Sequence, residues 1–200
     1  MKRDDLDRFF SELASRWTHP TTVRLLGGAG SLVLGGARPT MDVDFEVHVH
    51  SPKASWESFE DAMRATMAET KIGAQYAESV DRWSQITFLD YRRHTRSVKQ
   101  FGAIEVRVLE PGYWSIGKIG RYWDQDIQDM IAVFTREQPD PVELARLWSR
   151  AIAESPRSTQ LSLVKRQALH FFETFGRRIW GDAFSIERIH HVFTGHATRN

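Results

Sequence analysis

The sequence predicts an α+β protein, a mixed β-sheet lobe with flanking helices over residues 1–114 followed by a helical lobe over 115–200. Three observations predict it. "MDVDFEVHVH" (41–50) alternates apolar and polar residues, the period of a strand with one buried face. Just ahead of it, "LLGGAGSLVLGG" (25–36) reads as a strand end, a glycine turn and a helix start. Beyond residue 114 the apolar positions recur at helical spacing, punctuated by Pro139, Pro141, Pro156 and Gly181-Asp182.

Taken in order, Leu6, Phe9, Phe10, Leu13 and Trp17 share one helical face, so residues 3–17 form an amphipathic helix that ends before His19-Pro20. "TVRLLGG" reads as a short buried strand broken by glycine, and "SLVLGG" as the first turns of a helix opened by Ser31. The alternating strand sets Met41, Val43, Phe45, Val47 and Val49 on one face and Asp42, Asp44, Glu46, His48 and His50 on the other. A helix over 54–69 follows, then two further strands, "WSQITFLDY" and "GAIEVRVLE". The helical lobe reads as helices over 115–136, 140–154, 158–179 and 185–194.

Composition narrows the class. With 41% apolar and 12% aromatic residues the chain buries enough surface to offset ordering entropy, which excludes a disordered segment. It has no cysteine, so any metal is held by oxygen or imidazole. No run approaches the roughly 18 apolar residues of a membrane helix, and the start "MKRDDLDRFFSEL" lacks the apolar core of a secretory signal. The expectation is a cytoplasmic protein without a membrane partner. A net charge of +1 says little, but "YRRHTRSVK" (91–99) carries five basic residues in nine and no acid. Arg92, Arg93, Arg96 and Lys99 are therefore candidate anion ligands.

Asp42 and Asp44, two apart on a strand, project from one face with Cα atoms about 6 to 7 Å apart. Two carboxylates that close repel unless a cation lies between them. A hard divalent ion meets that demand, since Mg²⁺ is typically held by one or two carboxylates plus substrate phosphates. Gly27, Gly28 and Gly30 let backbone N–H groups approach a phosphate, with the Ser31 hydroxyl as a further donor. The plainer reading makes the glycines a tight turn and the acids a solvated strand face.

"GGAGSLVLGGARPTMDVDF" resembles the signature of the DNA polymerase β-like nucleotidyltransferase superfamily, a Gly-Ser turn followed by an acid-x-acid strand. "RPTMDVD" and the later "SIGKIGRYWDQDIQDM" are most similar to its small bacterial branch, the AbiEii-type and MenT-like toxin nucleotidyltransferases, and the likeness runs in order from residue 23 to about 134. The resemblance implies a nucleotidyltransferase-type sheet lobe and a Mg²⁺- or Mn²⁺-dependent transfer of a nucleoside monophosphate from a nucleoside triphosphate, with pyrophosphate released. It implies nucleotide binding by Gly28, Gly30, Ser31, Arg38, Thr40 and Lys118, metal binding by Asp42 and Asp44, and a supporting role for Asp126 beside the catalytic Lys118. The acceptor it implies is an RNA 3′ end, notably of tRNA, contacted by the basic segment 91–99, and a toxin of this kind is paired with an antitoxin protein. A protein or small-molecule acceptor, or a non-catalytic nucleotide-binding member of the fold, are the alternative readings.

A two-metal site calls for a third acid. Asp90 in "ITFLDY" shares a strand face with Ile86 and Phe88, while Glu105 in "AIEVRVL" stands beside Arg107, where a surface ion pair is equally easy. Order along the chain in the resembling family favours Asp90, with Glu105 as the alternative. On the "SIGKIGRYWDQDIQDM" helix, Lys118 and Arg121 are neighbours at i,i+3, as are Asp126 and Asp129.

Overall fold

Thr21–Leu25 (β1), almost wholly buried, is the centre of a five-stranded sheet of order β3-β2-β1-β5-β4, completed by Asp42–Val49 (β2), Gly73–Ala77 (β3), Thr95–Phe101 (β4) and Ile104–Leu109 (β5). The sheet is mixed: β1 runs antiparallel to β2 and parallel to β5, β2 parallel to β3, and β4 antiparallel to β5. The computed structural model describes residues 1–36, 38–80 and 84–195. It divides into two compact units, Met1–Arg82 with Arg92–Glu110, and Trp83–Tyr91 with Pro111–Asn200.

In the sheet unit the register sets two unlike faces. Val23, Leu25, Val43, Phe45, Val47, Ile104, Val106 and Val108 share the apolar face, all at or near zero exposure. Arg3–Arg16 (α1) lays Leu6, Phe9, Phe10 and Leu13 against it, with Phe10 meeting Phe45 and Phe101 edge-on or tilted at 5.9 Å. Trp56–Thr70 (α3), N-capped by Ser55 through the Ser58 N–H, adds Phe59, which meets Tyr76 edge-on at 5.6 Å. The short helix Gly27–Val33 (α2) follows β1 directly. Met41, expected on the apolar face, stands outside β2 and is 91% exposed.

The helical unit is built from Pro111–Arg121 (α4), Asp124–Glu137 (α5), Pro141–Glu154 (α6), Gln160–Trp180 (α7) and Ile186–Gly195 (α8). Phe134, Trp148, Phe171 and Phe172 form its aromatic centre, and the Trp148 indole N–H donates to Ser115 Oγ at 2.9 Å. Asp140 caps α6 through the Val142 and Glu143 N–H groups, with Pro141 at the first helical position.

Three sequence expectations change. The single helix expected over 115–136 is two, because Tyr122 adopts a left-handed φ of 56° and ends α4 there. The described part of "WSQITFLDY" is not a strand: residues 84–90 run as bends and a turn, with Leu89 at φ 57°, Tyr91 opens a short 3-10 helix, and Thr87 N–H donates to Ser155 Oγ of the same helical unit. Two strands, β3 and β4, were not expected, because Gly73–Ala77 and Thr95–Phe101 are edge strands whose polar residues mask the period-2 signal. Among the described residues no helix is long and apolar enough to cross a membrane.

Candidate functional site

The glycine turn and the acid pair meet at one end of β1 and β2. Leu26 N–H donates to the Asp44 carbonyl at 2.9 Å, which ties the turn to the strand. Gly27 follows at φ 47°, so close to Asp44 that a Cβ there would stand 1.9 Å from Asp44 Oδ2. A Cβ on Gly28 would likewise stand 2.3 Å from Thr40 Oγ1. Only glycine lets the backbone come this near. Thr40, buried, donates through Oγ1 to the Asp42 carbonyl at 3.1 Å, and Gln75 Nε2 donates to Asp42 Oδ2 at 2.9 Å. Asp42 and Asp44 are both half-buried and occupy alternate positions on the polar face of β2. Arg38, half-buried, and Pro39 lead into Thr40.

Ser31 differs from expectation. Helix α2 begins at Gly27, so the glycines form its first turn and Ser31 is its fifth residue. Its side chain is 1% exposed, its Oγ has no hydrogen-bond partner, and it lies under Gly36, whose N–H donates to the Ser31 carbonyl at 2.8 Å. Gly30 is buried inside the same helix, where its carbonyl accepts from Leu34 N–H.

Along the polar face of the sheet, Arg24 is the register partner of both Glu46 and Arg107. Glu46 is fully buried; Arg92 donates to its Oε1 through Nε at 2.8 Å and Nη2 at 2.6 Å, while Arg24 Nη1 approaches Oε2 only to 3.6 Å. Burial first, and then the charges of His50, Arg24 and Arg92, hold the His48 imidazole below its ordinary pKa.

The basic segment is therefore not one patch. Arg92 turns to Glu46, and Arg93 is exposed. Arg96 and Lys99 pair with Val108 and Val106 of β5 and stand on the opposite, apolar-side face, where Lys99 meets Asp7 of α1 at 2.6 Å. A bulge between Ser97 and Lys99 shifts the register and so sets Lys99 on the same face as Arg96.

Of the two candidates for a third acid, Glu105 is on the polar face, paired with Arg107. Asp90 belongs to the helical unit, in the turn after Leu89, where it accepts from the Tyr113 hydroxyl and from Arg150 Nη2, each at 3.4 Å. Both carboxylates already face an arginine. Among the described residues no group of three or more His, Cys, Asp or Glu is arranged to hold a metal.

The helical unit contains a buried charge cluster. Lys118 Nζ, with 3% of its side chain exposed, donates to Asp126 Oδ1 at 2.9 Å and Asp129 Oδ2 at 2.8 Å. Arg121 adds a two-pronged pair to Asp126, at 2.8 and 2.7 Å, and stacks over the Trp123 ring at 4.8 Å. Burial raises the Asp126 pKa, but the Arg121 and Lys118 cations outweigh it, and the carboxyl lies below its ordinary value. The left-handed turn at Tyr122 brings α4 and α5 into this arrangement, with the Tyr122 hydroxyl bonded to His170 Nδ1 at 2.7 Å. Burial pushes that hydroxyl's pKa up to about 12.

Sequence reasoning paired Lys118 with Asp126 and missed Glu46 and Arg24 as a buried pair. The available signal was Arg24 itself, a charge inside the short apolar run "TVRLL" facing an acid on the neighbouring strand. Comparison with protein-family models, with curated proteins and with solved structures yields no match for this chain.

Proposed function

We propose that this chain is a divalent-metal-dependent nucleotidyltransferase of the DNA polymerase β-like kind, which moves a nucleoside monophosphate from a nucleoside triphosphate to an RNA 3′ end. The observation that carries the reading is the close approach of Gly27 to Asp44 and of Gly28 to Thr40. A backbone turn without side chains, set against two carboxylates of one strand face, is an arrangement suited to phosphates bridged to the acids by a cation. Asp42 and Asp44 would hold the ion through carboxylate oxygens, a donor set that suits Mg²⁺ or Mn²⁺ shared with substrate phosphates. When bound, such an ion neutralises phosphate charge and polarises the phosphoryl group under attack.

The chain's own residues then have distinct tasks. Gln75 orients the Asp42 carboxylate, Thr40 braces the Asp42 carbonyl, and the glycine turn keeps side chains out of the space beside Asp44. Lys118, in the helical unit, is held by Asp126 and Asp129, and its part in nucleotide binding rests on the family resemblance. A tRNA-like acceptor, an antitoxin partner and a cytoplasmic site of action rest on the family resemblance. One observation favours the rival reading of a protein or small-molecule acceptor: segment 91–99 is split between two faces of the sheet and offers no continuous phosphate track.

Calorimetric titration of ATP with and without Mg²⁺ tests the site. Metal-dependent binding should be present in the wild type and absent from Asp42→Asn/Asp44→Asn. Equal affinity in both proteins defeats the reading. Incubation of labelled nucleoside triphosphates with total tRNA and, separately, with cell protein identifies the acceptor.

A further inference from the structure

Beyond the acid pair, the polar face of the sheet carries Arg24, Arg92 and Arg107 with Glu46 and Glu105, on β1, β2 and β5 and the turn before β4. Their pairing is unequal. Arg92 takes Glu46 Oε1 with two hydrogen bonds. Arg107 takes Glu105, and also donates to Thr95 Oγ1 at 2.7 Å and the Thr95 carbonyl at 3.1 Å. Arg24 is left with the 3.6 Å approach to Glu46, and its Nε and Nη1 are buried without an acceptor. A guanidinium does not shed its proton to relieve that deficit.

The backbone register adds to it. Arg24 and Arg107 are direct partners on neighbouring strands, like charges placed opposite one another; of the carboxylates beside them, Glu105 lies with Arg107 and Glu46 is shared with Arg92. His48, one row along the same face, is held below its ordinary pKa first by burial and then by the charges of His50, Arg24 and Arg92, against the opposing charge of Glu46. Asp44 lies one row along in the other direction and, in the reading above, is committed to the metal.

We propose that Arg24 anchors a phosphate subsite on this face, next to the acid pair, and receives a backbone phosphate of the acceptor strand. The source of the phosphate rests on the nucleotidyltransferase reading; the subsite itself rests on the charge imbalance around Arg24. The planar guanidinium presents paired N–H donors that match two phosphate oxygens. Its side chain is 12% exposed while Nε and Nη1 are buried, so binding requires the guanidinium to turn toward the ligand.

The test uses a fluorescent single-stranded RNA dodecamer, read by anisotropy across a salt series, and Mg²⁺-ATP read by calorimetry, on the wild type, Arg24→Gln and Arg24→Lys. The expected result for Arg24→Gln is an RNA affinity about 10- to 100-fold weaker, the worth of a charged hydrogen bond. Its salt slope should be shallower by about 0.7, one phosphate's contribution on a single strand, while ATP affinity is unchanged. Arg24→Lys should restore the slope and only part of the affinity, since it returns the charge without the fork. RNA affinity and slope equal to wild type overturn the proposal, as does a loss confined to ATP, which would assign Arg24 to the triphosphate. If Arg24→Gln does not fold, the Arg24 Nε–H resonance of the wild type, assigned with Arg24→Lys, should shift on adding RNA, and a stationary resonance overturns it. Dependence of RNA binding on Arg24, found together with ATP binding that ignores Asp42→Asn/Asp44→Asn, would retain the subsite and remove the nucleotidyltransferase reading.

Discussion

Gly27 and Asp44 stand so close that no side chain fits between them: a Cβ on Gly27 would lie 1.9 Å from Asp44 Oδ2 and 2.8 Å from Asp44 Cγ. The contact joins residues 17 positions apart and draws the glycine turn onto the rim of the acidic strand. Its reach is local, because Leu26 already holds the Asp44 carbonyl and leaves the turn little freedom to withdraw.

Gly27→Ala should therefore cost more than a change of backbone entropy. The left-handed φ of 47° alone costs an L-residue about 1–2 kcal/mol, and the new methyl group must displace the Asp44 carboxylate. Gly73, beside the other acid, is the control, since a Cβ there meets Asp42 Cβ at an ordinary 3.8 Å. Urea unfolding and Mg²⁺-ATP titration of the two variants should show loss of stability and of binding in Gly27→Ala alone. Similar behaviour of both variants would mean that the close approach carries no functional weight.

The acidic strand was legible because its apolar residues from Val43 to Val49 obey one period, with Val43, Phe45 and Val47 buried and Phe45 packed against Phe10 of α1. The glycine turn was legible as a turn but not in detail: periodicity does not say that Gly27 opens the helix, so Ser31 was placed at a start it does not occupy. Asp90 shows a different limit. Ile86 and Phe88 alternate with polar neighbours as a strand would, yet they are buried in the helical unit, where Phe88 packs against Gly117. Alternation over five residues reports one-sided burial, and a chain of turns laid on a helix satisfies it equally. The basic segment misled for a third reason: charge density in sequence ignores the pleat, which sends Arg96 and Lys99 to the face opposite that of Ser97.

Arg92 and Arg93 are adjacent and alike in sequence, and the structure separates them. Arg92 holds the fully buried Glu46 with two hydrogen bonds; Arg93 is exposed. Half of the Arg92 side chain is exposed, so solvent screens its half of the pair, and Arg24 stays near Glu46; Arg92→Ala should lose about 1 kcal/mol. Arg93→Ala should stay within about 0.5 kcal/mol of wild type. Chemical denaturation midpoints decide it, and equal midpoints would contradict the role assigned to Glu46.

Acid should weaken the fold partly through Asp126. Its carboxyl titrates below the ordinary aspartate value of 3.8, so the stability it contributes is fully present above that pH and is lost as the pH falls through the folded-state value. Unfolding free energies measured near about pH 6 and about pH 3 should differ less in Asp126→Asn than in wild type, because the variant has no proton to take up there. An equal acid sensitivity would assign the loss to other carboxylates.

Lys118 is where a role in stability and a role in chemistry separate most clearly. Its ammonium is the cation between Asp126 and Asp129, and both acids are nearly inaccessible. Lys118→Ala strands their charge with Arg121 as the remaining close cation on Asp126, and should cost about 3–5 kcal/mol, the range for breaking a buried pair. Lys118→Arg keeps the charge but not the compact shape, and should recover part of it. If Lys118 also serves the transfer, as the family resemblance implies, folded Lys118→Arg should transfer nucleotide more slowly than wild type, because the planar guanidinium does not reproduce the donor position of the compact ammonium. Transfer at the wild-type rate in a folded Lys118→Arg protein would confine Lys118 to holding α4 against α5, and the resemblance would then extend no further than the glycine turn and the acid pair.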